Sequence, residues 1–163
     1  QSFARPQMTQ RSLALAACAE DALTLMHHDL NKGSVTVVKD FREAPEVMAD
    51  PSALGQIFLN LFINALHAMP QGGKLMVTVE AAAGPEGKKG TACRIQDTGP
   101  GIPAEIMDRI FEYAFSTKGE KGSGLGLSIS RGIAEEHGGT LTVQSQPGRG
   151  ATFTLWLPAA TKP

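Results

Sequence analysis

Three polar side chains interrupt an otherwise apolar stretch, Ile57–Met69. Its apolar residues cover most angular positions of a helix, so we expect the helix to be buried nearly all round. Asn60, Asn64 and His67 are spaced four and three residues apart, so on a helix they share one face. On a buried helix each would cost about 1–3 kcal/mol without a hydrogen-bond partner. One interpretation is that local backbone satisfies them. The other is that the amide oxygen of Asn64 binds Mg²⁺, a hard ion that accepts neutral oxygen ligands and keeps some of its own waters.

A second candidate site is the segment Asp97-Thr98-Gly99-Pro100-Gly101, which follows a predicted strand. Its glycines allow the backbone to approach a flat ligand closely, although an ordinary turn has a similar composition. If a nucleotide binds here, the Asp97 carboxylate accepts a hydrogen bond from an exocyclic amine. That interaction selects adenine, because guanine presents an acceptor oxygen at the same place.

A third segment, Gly122-Ser123-Gly124-Leu125-Gly126-Leu127-Ser128, is rich in glycine and leads into a predicted helix. Backbone N–H groups and the positive end of the helix dipole at such a junction stabilise phosphate oxygens. The pattern is not a Walker A loop, because no Lys-Ser/Thr pair follows the glycines. It is not a dinucleotide fingerprint either, because no strand precedes it and no βαβ unit surrounds it. The alternative interpretation is a flexible loop without a ligand.

A fourth segment, Phe111-Glu112-Tyr113-Ala114-Phe115-Ser116-Thr117-Lys118, places aromatic residues, hydroxyls and a cation just before those glycines. One interpretation is that the aromatic residues only anchor a loop to the core. The other is that Lys118 reaches the terminal phosphates of a nucleotide, while Gly119–Gly124 forms a lid that orders when ATP binds.

The elements that must position these groups are predicted from hydrophobic periodicity and turn residues. Together they predict an α+β domain with helices on one face of a mixed, mostly antiparallel sheet. The predicted helices are Ser12–Leu30, one from Asp50-Pro51-Ser52 to Met69, and Leu127–His137. The predicted strands are Val35–Val38, the hairpin of Leu75–Val79 with Ala92–Gln96, Thr140–Ser145 and Ala151–Leu157.

Composition limits the class of protein. The 163 residues are 42% hydrophobic, enough for one domain with its own core. A formal net charge of −1 gives no field for nucleic acid or an anionic membrane. Apolar runs stay well below the roughly 20 residues that a membrane span requires. Cys18 and Cys93 lack the spacing of a metal site or disulfide framework, so we expect a reducing, cytoplasmic location.

Taken together, the four segments resemble the N box, first glycine box, F box and second glycine box of histidine kinases. That family belongs to the superfamily that also contains DNA gyrase B, MutL and the heat-shock chaperone ATPases. The resemblance extends from about Ser12 to Pro158 and includes Gly138-Gly139-Thr140 and the run from Gly148-Arg149-Gly150 to Phe153. It implies the Bergerat fold, a two-layer α/β sandwich with a flexible ATP lid. We expect a linker at 1–11, the catalytic ATP-binding domain at 12–160 and a tail at 161–163.

The resemblance also implies roles for individual residues, with ATP and Mg²⁺ as cofactors. Asn64 binds Mg²⁺ with help from Asn60, Asp97 reads adenine beside Gly101, and Lys118 acts with the two asparagines in catalysis. Lys118, Gly124 and Gly126 hold phosphates, and His67 stands where the family often has a basic phosphate-contacting residue. The other residues expected at the nucleotide are Gly99, Ile102, Thr117, Gly122, Leu125 and Leu127.

Two departures from the family's pattern qualify the resemblance, and a third position decides between relatives in the superfamily. Tyr113-Ala114 stands where the F box usually has a Pro and an aromatic residue, and Ala151 stands where a Thr or Ser near adenine is common. Asn60 separates kinases from hydrolases, because hydrolysing relatives have a Glu there as general base and an amide cannot remove a proton. We therefore expect slow hydrolysis and phosphoryl transfer to an imidazole instead.

The accepting histidine is not expected within this chain. The family's acceptor motif has an acidic residue after the histidine and a proline four residues after the acid, but Gly33 occupies that position after His28-Asp29. We interpret His27 and His28 as solvated residues at a helix end. Because the chain begins at Gln1 rather than Met, we expect a larger protein, which could be anchored in a membrane through a part outside this chain.

The expected partners follow from the same resemblance. They are a histidine-bearing dimerisation domain N-terminal to Gln1, which would make the full protein a homodimer, and a response-regulator receiver domain. No nucleic acid and no direct membrane contact are expected for this fragment. Two alternatives are an ATPase or serine kinase of the same fold, and a nucleotide-sensing module without transfer activity.

Overall fold

A computed structural model describes residues 8–112 and 126–161. Within these ranges the chain forms four α-helices, seven strands and two short 3₁₀ helices at Pro85–Gly87 and Ala104–Arg109. The helices are α1 (Leu15–Leu25), α2 (His27–Lys32), α3 (Pro51–Ala68) and α4 (Gly126–Glu136). The strands are β1 (Arg11–Leu13), β2 (Val35–Phe41), β3 (Val47–Ala49), β4 (Gly73–Ala83), β5 (Lys89–Asp97), β6 (Thr140–Ser145) and β7 (Ala151–Pro158).

The main sheet has five strands in the order β2-β4-β5-β7-β6. β2 runs parallel to β4, from Val35 opposite Gly73 to Phe41 opposite Val79, and the other neighbours are antiparallel. The predicted hairpin is confirmed as β4 and β5, which pair from Leu75 opposite Asp97 to Ala83 opposite Lys89. The parallel pair requires a long crossover connection, and that connection contains α3. The mixed, mostly antiparallel sheet is therefore confirmed.

The hydrophobic core lies between one face of this sheet and the helices. Alternate residues of β4 are buried, namely Leu75, Val77 and Val79, whereas the residues between them are partly exposed. This period of two is typical of a sheet covered on one side. Phe58 and Phe62 of α3 are fully buried and stack at 6.0 Å between ring centroids. The two-layer α+β class predicted from the sequence is confirmed.

Local sequence determines where α3 begins. Asp50 caps the helix, because its Oδ1 accepts hydrogen bonds from the N–H groups of Ser52 (2.9 Å) and Ala53 (3.3 Å). Pro51 occupies the first helical position, where its missing N–H costs nothing. The expectation that α3 is buried nearly all round is wrong along one stripe, since Ile63 is 40% exposed.

The predicted N-terminal helix differs from the observed structure at two places. Ser12 lies in β1, opposite Met48 of β3, so the helix begins only at Leu15. β3 was not predicted, because two three-residue strands stabilise each other only when residues far apart in sequence meet. The helix is also divided at Met26, although the N–H of Met26 still donates to the carbonyl oxygen of Ala22.

His137 connects the end of α4 to the start of α3. Its ring is buried, its Nδ1 lies 2.8 Å from the carbonyl oxygen of Ile133, and its Nε2 accepts the N–H of Asp50 at 3.2 Å. The ring therefore joins the last turn of α4 to the residue that caps α3.

The remaining global features concern membranes and thiols. In residues 8–112 and 126–161, no helix has both the length and the apolar character needed to cross a bilayer. Cys18 and Cys93 are free thiols, one half-buried and one buried, and burial raises the pKa of both.

Candidate nucleotide-binding site

The carboxylate of Asp97 lies at the buried end of β5. Asp97 is 3% exposed, and its Oδ1 accepts the N–H of Gly99 at 2.9 Å and the N–H of Ala151 at 3.3 Å. These two hydrogen bonds fix the orientation of the carboxylate. A buried, oriented carboxylate at the end of a strand can recognise a donor such as an exocyclic amine.

The glycines after Asp97 are required by their surroundings. A Cβ on Gly99 would lie 2.5 Å from the carbonyl oxygen of Ala68, the last residue of α3. Gly101 has φ +84°, in the left-handed region that favours glycine, and its Cβ would lie 2.5 Å from the carbonyl oxygen of Gln146. The loop of residues 97–102, called the glycine loop below, is therefore packed between the end of α3 and the β6–β7 connection.

Asn60 lies at the opposite part of the site, against the start of α4. Its Nδ2 donates to the carbonyl oxygen of Gly126 at 3.3 Å and to the Oγ of Ser130 at 3.2 Å. Both amide hydrogens have an acceptor, so the remaining polar atom is the oxygen, the end of an amide that can bind a cation. Asn60 is thereby held beside the N-terminus of α4, at Gly126.

Helix α3 connects these two regions. Asn60 and Ala68 are eight residues apart, which corresponds to about 12 Å along a helix. Asn64, half-buried, lies one turn beyond Asn60, and the exposed His67 lies at the end near the glycine loop. The three polar residues predicted to share a face thus lie along the path from the start of α4 to the glycine loop.

The site has few charged metal ligands in the part of the chain that the structure describes. No three His, Cys, Asp or Glu side chains gather there in a way that could hold a metal ion. Neutral amide oxygens from Asn60 and Asn64 suit Mg²⁺ only when other oxygens complete its shell, as phosphates and waters do. Asn60 and Asn64 therefore have the donor chemistry that the predicted Mg²⁺ role requires.

Several predicted site residues fall outside the described ranges. They are Thr117, Lys118, Gly122, Gly124 and Leu125, together with the Tyr113-Ala114 departure and the predicted lid. Among the described residues, Gly126 and Leu127 open α4, and Ile102 is half-buried against the core. The roles of all these residues remain predictions from the sequence.

Two serines were missed by the sequence analysis. Ser130 is fully buried and accepts from Asn60. The Oγ of Ser145 accepts the N–H of Ile102 at 2.7 Å and donates to the carbonyl oxygen of Gly150 at 2.9 Å. Ser145 is 43 residues from Ile102 in sequence, so no local spacing indicates this contact.

Comparison with known proteins agrees with this geometry. The family described as histidine kinase-, DNA gyrase B- and HSP90-like ATPase matches residues 49–161. The sensor histidine kinase ZraS of Escherichia coli (strain K12) is 41% identical over 152 residues, which cover 88% of this chain and 31% of that protein. Sporulation kinase C of Bacillus subtilis (strain 168) is 32% identical over 159 residues, which cover 96% of this chain and 36% of that protein. The chain thus spans about a third of these relatives.

Solved structures give the same result. The catalytic domain of histidine kinase ThkA has a TM-score of 0.81 at 28% identity, covering 93% of this chain and 96% of that domain. Full-length ShkA in complex with AMPPNP has a TM-score of 0.81 at 28% identity, covering 98% of this chain and 33% of that protein. The chain belongs to the histidine kinase-, DNA gyrase B- and HSP90-like ATPase family. Within that family, its similarity is to the catalytic domains of sensor histidine kinases.

Proposed function

We propose that this chain is the catalytic domain of a two-component sensor histidine kinase, which binds Mg-ATP and transfers the γ-phosphoryl group to a histidine on another domain. One observation supports this most strongly. Helix α3 carries Asn60 to the start of α4 and ends against the glycine loop that contains the buried Asp97. A phosphate-binding helix terminus and an amine-recognising carboxylate are therefore joined by one rigid element.

Each residue then has a task that its chemistry permits. Asp97 accepts the exocyclic amine of adenine, and the N-terminus of α4 at Gly126 stabilises phosphate oxygens through its N–H groups and dipole. Asn64, assisted by Asn60, provides amide oxygens to Mg²⁺. When bound, Mg²⁺ neutralises charge on the phosphates during transfer. Lys118 and Thr117 complete the phosphate contacts in this proposal.

The character of Asn60 favours transfer over hydrolysis. An amide cannot act as a general base toward water, and the nitrogen of Asn60 is already used for hydrogen bonds to α4. A neutral imidazole needs no base to attack phosphorus. Slow ATP hydrolysis by the isolated domain follows from this difference.

The whole protein's partners belong to the same proposal. The phosphoryl acceptor is a histidine on a dimerisation domain, and a response-regulator receiver domain then takes the group on an aspartate. Its similarity to the sensor histidine kinase ZraS and to sporulation kinase C, of which it spans about a third, supports a larger kinase. A cytoplasmic location for this domain is consistent with both thiols being free.

Two measurements test the proposal. Calorimetric titration with ATP and ADP, with and without Mg²⁺, should show binding that prefers adenine over guanine nucleotides and tightens with Mg²⁺. Incubation with labelled ATP and a histidine-bearing hairpin domain should then give acid-labile, base-stable phosphate on the hairpin. Binding without transfer to any hairpin would favour a nucleotide-sensing module, rapid phosphate release would favour an ATPase, and phosphoserine would favour a serine kinase.

A further inference from the structure

The hydroxyl of Ser145 lies between two segments that surround Asp97. Ser145 is half-buried at the end of β6, where its Oγ accepts the N–H of Ile102 at 2.7 Å. The same Oγ donates to the carbonyl oxygen of Gly150 at 2.9 Å. Ile102 ends the glycine loop and Gly150 ends the β6–β7 connection of residues 146–150. A single hydroxyl therefore joins both segments.

The Gly150 end of this bridge lies directly against Asp97. A Cβ on the buried Gly150 would collide with the backbone oxygen of Asp97, so the two residues are in close contact. The next residue, Ala151, donates its N–H to the Oδ1 of Asp97 at 3.3 Å. A shift of the Gly150 carbonyl would therefore move one of the two N–H donors that orient the carboxylate.

Two further contacts show that this junction is closely packed. The N–H of Gly148 donates to the carbonyl oxygen of Pro100 at 2.6 Å. A Cβ on Gly101 would lie 3.0 Å from the Oγ of Ser145. The glycine loop thus rests directly on the hydroxyl, and the bond to Ile102 fixes the loop at the end away from Asp97.

We propose that Ser145 is a positioning residue for base recognition: its hydroxyl holds the glycine loop and the β6–β7 connection in the register that aims the Asp97 carboxylate at adenine. This inference rests on the proposed function of Asp97. It concerns the base subsite alone, because Asn60, which contacts Gly126, lies about 12 Å along α3 from Ala68, which contacts the glycine loop. Loss of the hydroxyl should weaken base recognition and leave phosphate binding intact.

The test compares Ser145→Ala with Ser145→Thr, which keeps the hydroxyl. The matched control is Thr91→Val, which removes a fully buried hydroxyl that donates to the carbonyl oxygen of Pro45 at 2.7 Å. Titrations use ATP and, as a ligand without a base, inorganic tripolyphosphate, both with Mg²⁺. Amide hydrogen exchange at Ile102 is measured in each protein by NMR.

In Ser145→Ala, the Kd for ATP should rise about five- to twentyfold, the range expected for a lost hydroxyl bridge, with tripolyphosphate within about twofold of wild type. Exchange at Ile102 should accelerate. Ser145→Thr should have the wild-type Kd for ATP and the wild-type exchange rate at Ile102. Thr91→Val should leave both of these quantities unchanged.

The inference is overturned if Ser145→Ala binds ATP like wild type, or if it loses ATP and tripolyphosphate equally. An equal loss of ATP binding in Thr91→Val would overturn it too. If the wild-type chain itself does not bind ATP, the proposed function fails. Exchange at Ile102 then tests the bridge independently, and unchanged protection in Ser145→Ala refutes it.

Discussion

Replacing Asp97 by Asn tests base recognition, because it exchanges one carboxylate oxygen for an NH₂ group and changes little else. In the variant, an oxygen must stay at the Oδ1 position, because the N–H groups of Gly99 and Ala151 both donate there. The new NH₂ group therefore occupies the position of the second carboxylate oxygen. A donor then faces the exocyclic amine of adenine, and the hydrogen bond to a charged acceptor is lost.

The expected magnitude follows from that exchange. A hydrogen bond to a charged group contributes about 1.5–3 kcal/mol, which corresponds to an ATP Kd roughly 10- to 150-fold higher. Inosine triphosphate carries a carbonyl oxygen where ATP carries the amine, so Asp97→Asn should bind it more tightly than wild type does. The preference for ATP over inosine triphosphate should shrink by at least about tenfold.

Calorimetric titration of both nucleotides measures this preference, and Mg-tripolyphosphate reports whether the phosphate region is intact. Asp40→Asn, at an exposed carboxylate on β2, is the matched control. If Asp97→Asn keeps the wild-type preference for ATP while remaining folded, the reasoning that places adenine at this carboxylate is refuted.

Three other predictions concern the ends and the polar face of α3. Asn64→Ala should weaken ATP binding when Mg²⁺ is present and have little effect in EDTA; an equal loss in both titrations would remove its metal role. Asn60→Ala should lower the free energy of unfolding by about 1 kcal/mol and Tm by about 2–4 °C, because two hydrogen bonds to the first turns of α4 disappear. An unchanged Tm in calorimetry would show that these hydrogen bonds do not contribute to stability. Backbone N–H groups hold the pKa of the Asp50 carboxyl below its ordinary value of 3.8. The hydrogen bond from the Thr9 N–H has the largest effect, those from Ala53 and Ser52 add to it, and desolvation opposes them less strongly. The charged cap stabilises the fold at pH values above that ordinary pKa, and this stabilisation is lost as pH falls through the lower folded-state pKa. In urea titrations between about pH 5 and pH 2, the free energy of unfolding should therefore fall less in Asp50→Asn than in wild type. A pH profile identical to wild type would contradict this account of the cap.

Local signals predicted the elements that depend on local physics. Asp50-Pro51 marks a cap and a first helical turn, and α3 begins there. The alternation of apolar residues around Val77 requires one buried face, and β4 has it. These features are visible in sequence because each depends on residues within a few positions of one another.

The features that were missed depend on distant contacts. β1 and β3 exist because Leu13 meets Val47, and neither three-residue segment has a periodic pattern of its own. Nothing in the residues around His137 distinguishes it from other histidines at helix ends. Its ring is nevertheless held by a hydrogen bond from the N–H of Asp50, 87 residues away. A hydrogen bond between residues so far apart leaves no trace in local spacing.

The sequence by itself determined the family, the class of fold and which residue types could handle a nucleotide, because glycine, amide and carboxylate patterns reflect chemistry that each short segment carries alone. Only the tertiary structure decided that Asn60 lies against the start of α4, that Ala68 meets Gly99, and that Ser145 joins the two segments around Asp97. The physical reason is that packing of α3 on the sheet, rather than any local preference, sets the distances between those segments.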